Sequence, residues 1–167
     1  MRRYGILVLG VVAAVGLGAC SDDDDEDSNT YTATLTGNAE RPTPVTTTAT
    51  GSFTLTDNGA SMAFVLTVSN LTGPVTGAHI HAIPRSGAQP ADTTGGIAVN
   101  LNPVTGITNG VLAQGTVTAA SIQALPGSTT PISMDSLRTL MNAGRTYVNV
   151  HTTANPAGHI RGTVVRQ

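Results

Sequence analysis

The sequence contains no tryptophan and no lysine, and it has a single cysteine among its 167 residues. Aromatic residues make up only 3%, so any core has to be built from Val, Leu, Ile, Ala and Met. Charged residues are also few, at 11%, and without a dense basic patch a nucleic-acid partner is disfavoured. The single cysteine, Cys20, excludes an intramolecular disulfide. The length fits one domain of ordinary size rather than two.

The first 19 residues have the pattern of an export signal. Arg2 and Arg3 form a short positive region, and residues 6–18 form an apolar run that is too short to span a bilayer comfortably. The run ends in Leu17-Gly18-Ala19-Cys20, which resembles the lipobox of bacterial lipoproteins, where the cysteine is acylated and the chain is cleaved just before it. The alternative is an ordinary signal peptide with an unrelated cysteine. We expect residues 1–19 to be a lipoprotein signal peptide and Cys20 to be the lipidation site.

An acidic segment follows the cysteine. Residues 22–27 are all Asp or Glu, and their mutual repulsion predicts an extended tether over residues 20–30. The segment is either a spacer or a sorting signal, since acidic runs at this position resemble the surface-export signals of some Bacteroidota lipoproteins. The expected location is therefore a bacterial membrane reached through the lipid anchor, with the outer membrane or cell surface favoured.

Alternation of apolar and polar residues dominates from Tyr31 onward. Met62, Phe64, Leu66 and Val68 form the longest alternating set, and threonine is abundant in the positions between such residues. Strands are also expected at 77–82, 97–101, 111–117, 146–151 and 160–165. The pattern from Ser133 to Gly144 predicts one short helix, and a second helical turn is expected within 118–125. We predict that residues 31–167 form an all-β domain, an antiparallel Greek-key β-sandwich of about seven or eight strands with one short helix.

Three histidines lie in two of these strands. His79 and His81 project from the same face of one strand, and His151 projects outward from another, beside Asn149. Neutral imidazoles bind copper or zinc, and three of them can gather if the two strands are neighbours. The alternative is that they are polar residues on a solvent-exposed face. Hydrolytic chemistry is disfavoured, because the domain holds only four acidic residues and no nucleophile elbow, and Glu40 is expected simply to close a turn.

Several motifs, in the same order, resemble the CHRD domain, a module named after chordin and common in bacterial secreted proteins. The resemblance covers residues 31–166, and its most specific part is the block 147–162. It implies a non-catalytic binding or interaction module with an extracellular or periplasmic protein partner. This chain departs from the family at His159, where a glutamate is usual. Such a carboxylate could pair with Arg161, so the replacement puts that ion pair in doubt. The matching motifs are Leu35-Thr36-Gly37, Glu40 followed by Pro42 and Pro44, Ala49-Thr50-Gly51, Ala78-His79-Ile80-His81 and the block at 147–162.

The sequence Leu71-Thr72-Gly73 precedes His79-Ile80-His81, and a later strand reads Gly144-Arg145-Thr146-Tyr147-Val148-Asn149-Val150-His151. These two segments are similar to the copper-binding strands of copper–zinc superoxide dismutases. That resemblance implies His79, His81 and His151 as copper ligands and Arg161 as the counterpart of the active-site arginine. In the copper hypothesis, His159 is the accessory candidate for a fourth ligand. The loop 82–96 offers only Asp92 as a zinc ligand, so a copper-only site is implied rather than a binuclear one. Two hypotheses therefore follow from the sequence: a lipid-anchored interaction module, and a copper-binding or dismutase-like protein. The oligomeric state is open, since sheet edges can pair between copies.

Overall fold

The computed structural model describes residues 29–84 and 87–167. The expected signal peptide, Cys20 and the acidic run lie outside the described residues. The described part forms nine strands and one α-helix, in the following order. They are β1 (Thr30–Thr36), β2 (Thr50–Asp57), β3 (Met62–Ser69), β4 (Val75–Ala82), β5 (Gly96–Asn100), β6 (Gly110–Val117), α1 (Met134–Asn142), β7 (Thr146–Thr152), β8 (Ile160–Thr163) and β9 (Val165–Arg166).

The strands form one antiparallel sheet in the order β5-β4-β7-β8-β1-β2-β3-β6, with β9 paired beside β1. β6 returns to pair with β3, and β7 returns to pair with β4, which is the behaviour of Greek-key connections. The sheet curls into a nearly closed barrel around a single apolar core. The all-β prediction with one short helix is confirmed.

The alternation seen in the sequence is realised in the burial of the strands. In β3, Met62, Leu66 and Val68 are almost fully buried, while Ala63 and Val65 between them are exposed. Because period-two alternation places apolar residues on one face, β1, β2 and β3 pair in an unbroken antiparallel register. The last expected strand is interrupted at Val164, which is buried and donates its N–H to the carbonyl of Thr146 instead.

The single α-helix begins after Ser133, whose side chain accepts a hydrogen bond from the backbone N–H of Ser136. Leu137, Leu140 and Met141 form its buried face. The second helical turn is a short 3₁₀ segment at Ala119–Ser121. Within the described residues, no helix has the length and apolar character needed to cross a membrane.

Two loops cover the outer face of β4, β7 and β8. The loop after β4 is tied down where Ile83 donates its N–H to the carbonyl of Arg145. The loop after β1 is joined to it by Arg41, whose Nε donates to the carbonyl of Ala91 at 2.6 Å. Because the two loops cover this outer face, it carries buried polar side chains, whereas the inner face of the sheet is apolar.

Candidate metal centre

Three histidines meet on the outer face of β4 and β7. His79, His81 and His151 each offer one ring nitrogen, and these three atoms lie within 4.8 Å of one another. His81 is 9% exposed, and the other two side chains are half-buried. Among the described residues, this is the group of three or more histidine, cysteine or acidic side chains that lie close enough together to hold a metal ion.

The strand register explains why the three rings share one face. His79 pairs with Asn149 and His81 pairs with Tyr147, while His151 pairs with Gly77. Directly opposed residues of antiparallel strands point to the same side of the sheet. His79 is therefore the diagonal neighbour of His151, and their ring centroids are 5.0 Å apart.

Gly77 makes room for this arrangement. A Cβ atom at Gly77 would lie 2.9 Å from Cε1 and 3.1 Å from Nε2 of His79. The imidazole of His79 therefore lies over the glycine, in space that any other side chain would fill. The sequence analysis did not identify Gly77 as part of the site, although a glycine two residues before a histidine in a strand is a usable signal.

Two of the rings are oriented by backbone carbonyls. His81 Nδ1 lies 3.0 Å from the oxygen of Gly95, and His151 Nδ1 lies 3.1 Å from the oxygen of Pro156. A carbonyl oxygen only accepts, so each Nδ1 carries the proton and each Nε2 presents a free lone pair. Such fixing of the tautomer is typical of histidines that ligate metals. Neither Gly95 nor Pro156 was identified from the sequence.

Each of the three rings has a nitrogen without a protein partner. His79 Nδ1, His81 Nε2 and His151 Nε2 are all buried and have no hydrogen-bond partner among the described residues. Buried polar atoms are normally satisfied, and each exception costs free energy unless another group meets it. The three histidines that come together therefore each carry a buried ring nitrogen without a protein partner, and neutral ring nitrogens are chemically metal ligands.

Burial keeps these rings uncharged. It lowers the pKa of His79 to about 4, with a smaller contribution from His151, and lowers the pKa of His81 to about 4 as well. Burial also lowers the pKa of His151. At neutral pH the imidazoles are therefore in the state that binds metal.

The spacing of the nitrogens is compatible with one ion after a small adjustment. Metal–nitrogen bonds of about 2.0 Å place neighbouring ligand nitrogens about 3.4 Å apart. The observed separations, which reach no more than 4.8 Å, require shifts of about 1 Å. Rotation of a side-chain dihedral supplies a shift of this size without moving the strands.

Tyr147 and Arg161 support His81 from the side. The ring of Tyr147 stacks on His81 with centroids 4.7 Å apart and an interplanar angle of 3°, and its Oη accepts a hydrogen bond from Gly95 N at 3.0 Å. The guanidinium carbon of Arg161 lies 4.0 Å from the centroid of the Tyr147 ring. Arg161 Nη2 donates to carbonyl oxygens of Pro90 and, at 2.9 Å, Thr93. Arg161 is 2% exposed, so it is a buried support for the loop and does not face solvent.

His159 does not join the cluster of three histidines. Its ring is buried and its Nε2 lies 3.2 Å from Thr47 Oγ1. Burial lowers the pKa of His159.

Asn149 and Glu40 form a buried polar pair next to the site. Asn149 Nδ2 donates to Glu40 Oε2 at 3.4 Å, and neither residue is more than 4% exposed. Burial raises the pKa of Glu40 to about 7, while the charge of Arg161 acts in the opposite direction. Glu40 was expected only to close a turn, and it does follow the 3₁₀ segment Gly37–Ala39, but its side chain also belongs to the buried polar layer.

The described residues form a small, nearly closed β-barrel with a histidine cluster on its outer face. The family model described as CHRD domain matches residues 31–164. Because the match spans most of the chain, this protein belongs to the CHRD-domain family. Comparison with curated proteins and with solved structures found no significant match. Membership of the CHRD family indicates a binding or interaction module.

Proposed function

We propose that this CHRD-domain protein binds one copper ion through His79, His81 and His151, and that it does so as a non-catalytic binding module. The module is exported and held at a bacterial membrane by lipidation of Cys20. The ion is the ligand of the module, so the proposal joins the two hypotheses drawn from the sequence.

The observation that carries the proposal is the set of three buried ring nitrogens without protein partners. Leaving a buried polar atom unpaired costs about 1–3 kcal/mol, so three of them together are a considerable cost. A single ion accepts all three lone pairs at once. The carbonyls of Gly95 and Pro156 support the same conclusion, because they hold two of the rings in the required tautomer.

Ligand chemistry favours copper. The cluster consists of imidazoles, which suit copper and zinc, and contains neither a carboxylate nor a thiolate. Divalent copper binds nitrogen ligands more tightly than the other first-row divalent ions. The copper ligands implied by resemblance to the dismutases are the same three residues. Zinc is the competing occupant, because three histidines also form catalytic zinc sites.

Two features favour binding over a dismutase cycle. Arg161 is buried under the loop and does not present its charge to an incoming anion. Asp92, the one acidic residue of the long loop, is exposed and lies outside the histidine cluster. Storage or transfer of copper fits these features better than turnover of a substrate.

The test is copper and zinc titration of the full chain, with Cys20→Ser in every sample so that the thiol does not contribute. We expect one tight equivalent of copper, lost when His79, His81 and His151 are all replaced by Ala. His159→Ala is the matched control, since it removes a buried histidine outside the cluster and is expected to retain the ion. The acidic run is present in all samples, so its weak binding cancels.

The proposal fails if the triple variant binds copper as the unmodified protein does, or if zinc is bound while copper is not.

Lipidation is tested separately by radiolabelled palmitate incorporation in bacteria. Labelling is expected for the natural chain and not for Cys20→Ala, and equal labelling of both would contradict the anchor.

A further inference from the structure

We propose that the three-histidine site prefers cuprous to cupric copper and that Arg161 sets this preference. The inference rests on the copper site proposed above and goes further by naming the charge of the bound ion.

The ligands bring no negative charge to the ion. All three are neutral imidazoles, and the cluster contains no carboxylate. The cost of placing an ion in a partly buried site rises with the square of its charge when no counter-charge meets it. A divalent ion is therefore penalised more than a monovalent ion at this site.

A fixed positive charge lies beside the site. The Arg161 guanidinium lies over the ring of Tyr147, which in turn stacks on His81, so one aromatic ring separates the cation from a metal ligand. The charge of Arg161 opposes a divalent ion at this position twice as strongly as a monovalent ion.

Arg161 cannot easily move away. Carbonyl oxygens of Pro90 and Thr93 accept hydrogen bonds from its Nη2, and the side chain is 2% exposed. Guanidinium also stays charged in proteins. A carboxylate at Glu40 offsets part of the charge of Arg161, and the charge of Arg41 acts against that offset.

The number of metal-ligand atoms also favours cuprous over cupric copper. Cupric ion prefers a tetragonal arrangement with four ligands near one plane, whereas the filled d shell of cuprous ion imposes no such geometry. The described residues supply three donors. Tyr147 Oη is not a free fourth donor, because it accepts the hydrogen bond from Gly95 N.

The experiment measures affinity for each ion separately, on the full Cys20→Ser chain at pH 8. Cu⁺ affinity is measured anaerobically with ascorbate and the chromophoric chelator bicinchoninate, and Cu²⁺ affinity is measured against glycine. We expect the unmodified protein to bind Cu⁺ at least tenfold more tightly than Cu²⁺. Arg161→Gln is expected to lower that ratio about tenfold, whereas Arg161→Lys, which keeps the charge, retains most of it.

Glu40→Gln provides a second charge change without altering a ligand or Arg161. It removes a negative charge beside Arg161, so the ratio of Cu⁺ affinity to Cu²⁺ affinity is expected to rise severalfold. If Arg161→Gln does not fold, the comparison of Glu40→Gln with the unmodified protein tests the proposal instead. Tighter binding of Cu²⁺ than of Cu⁺ overturns the proposal, as does a ratio that no folded charge variant changes. Failure of both ions to bind above the level of the triple histidine variant overturns the copper site itself.

Discussion

Replacing Gly77 by alanine is the sharpest test of how the histidine site is built. The added methyl group would approach Cε1 of His79 to 2.9 Å, whereas ordinary van der Waals contact begins at 3.4 Å. The imidazole therefore has to move by at least about 0.5 Å. The backbone does not, because the atoms in conflict are at the far end of a side chain that can rotate.

Copper affinity depends on how precisely the ligand atoms are placed around the ion. Ligand distances at a bound ion are held within about 0.2 Å of their ideal values, and a methyl group at Gly77 fills space that the His79 ring occupies, so it limits the rotation by which His79 reaches the ion. We expect a 10- to 100-fold loss of copper affinity, the range seen when the supports of metal ligands are removed. The free energy of unfolding is expected to change by less than about 1 kcal/mol, because alanine also restricts the unfolded chain.

The assay is chelator competition for copper together with urea unfolding of the same samples. Gly115→Ala is the matched control: it makes the same substitution in β6, where the added atom meets only the ring of Phe64 at 3.3 Å. We expect the control to bind copper normally. If Gly77→Ala binds copper as tightly as the control does, the geometric argument for the site is refuted.

Three further predictions follow from the buried groups. Since burial lowers the pKa values of His79 and His81 to about 4 and lowers that of His151 as well, copper affinity should begin to fall only below the ordinary histidine pKa of 6.5; a midpoint near 6.5 in a pH titration would contradict this. The raised pKa of Glu40, about 7, means that its stabilising contribution is present at acid pH and lost as the pH rises through 7. In urea unfolding, Glu40→Gln should therefore gain about 2–3 kcal/mol relative to the natural protein between pH 4.5 and 7.5, and a constant difference would refute the shift. Tyr147→Phe removes the acceptor for Gly95 N but keeps the stack on His81, so we expect about 1 kcal/mol lower stability and about tenfold weaker copper binding, with unchanged affinity as the contrary result.

Much of the fold could be predicted because its signal is local. The alternation of apolar and polar residues in β3 and β7 is visible in consecutive residues of the sequence, and Val148 and Val150 are fully buried as it predicts. The helix was predicted from Ser133 and the spacing of its apolar residues, and its cap is present as expected. The interruption at Val164 was missed, since it depends on a hydrogen bond to Thr146 in another strand.

The sequence by itself determined that His79 and His81 share a face, because residues two apart in a strand always do. It also determined the all-β character of the domain. It predicted that His151 projects outward from another strand, but it determined neither that this strand lies beside the first nor the register between β4 and β7.

Only the tertiary structure decided that register. Val75 pairs with Thr152, and an irregularity at Thr76 then brings Gly77, not Thr76, opposite His151. Without this one-residue bulge, His79 would oppose Val148, and the histidines would point to opposite sides of the sheet. The burial of Arg161, the role of Glu40 and the two carbonyls that orient the rings likewise depend on loops folding over the sheet. Contacts between distant segments arise from packing, which no local pattern of residues encodes.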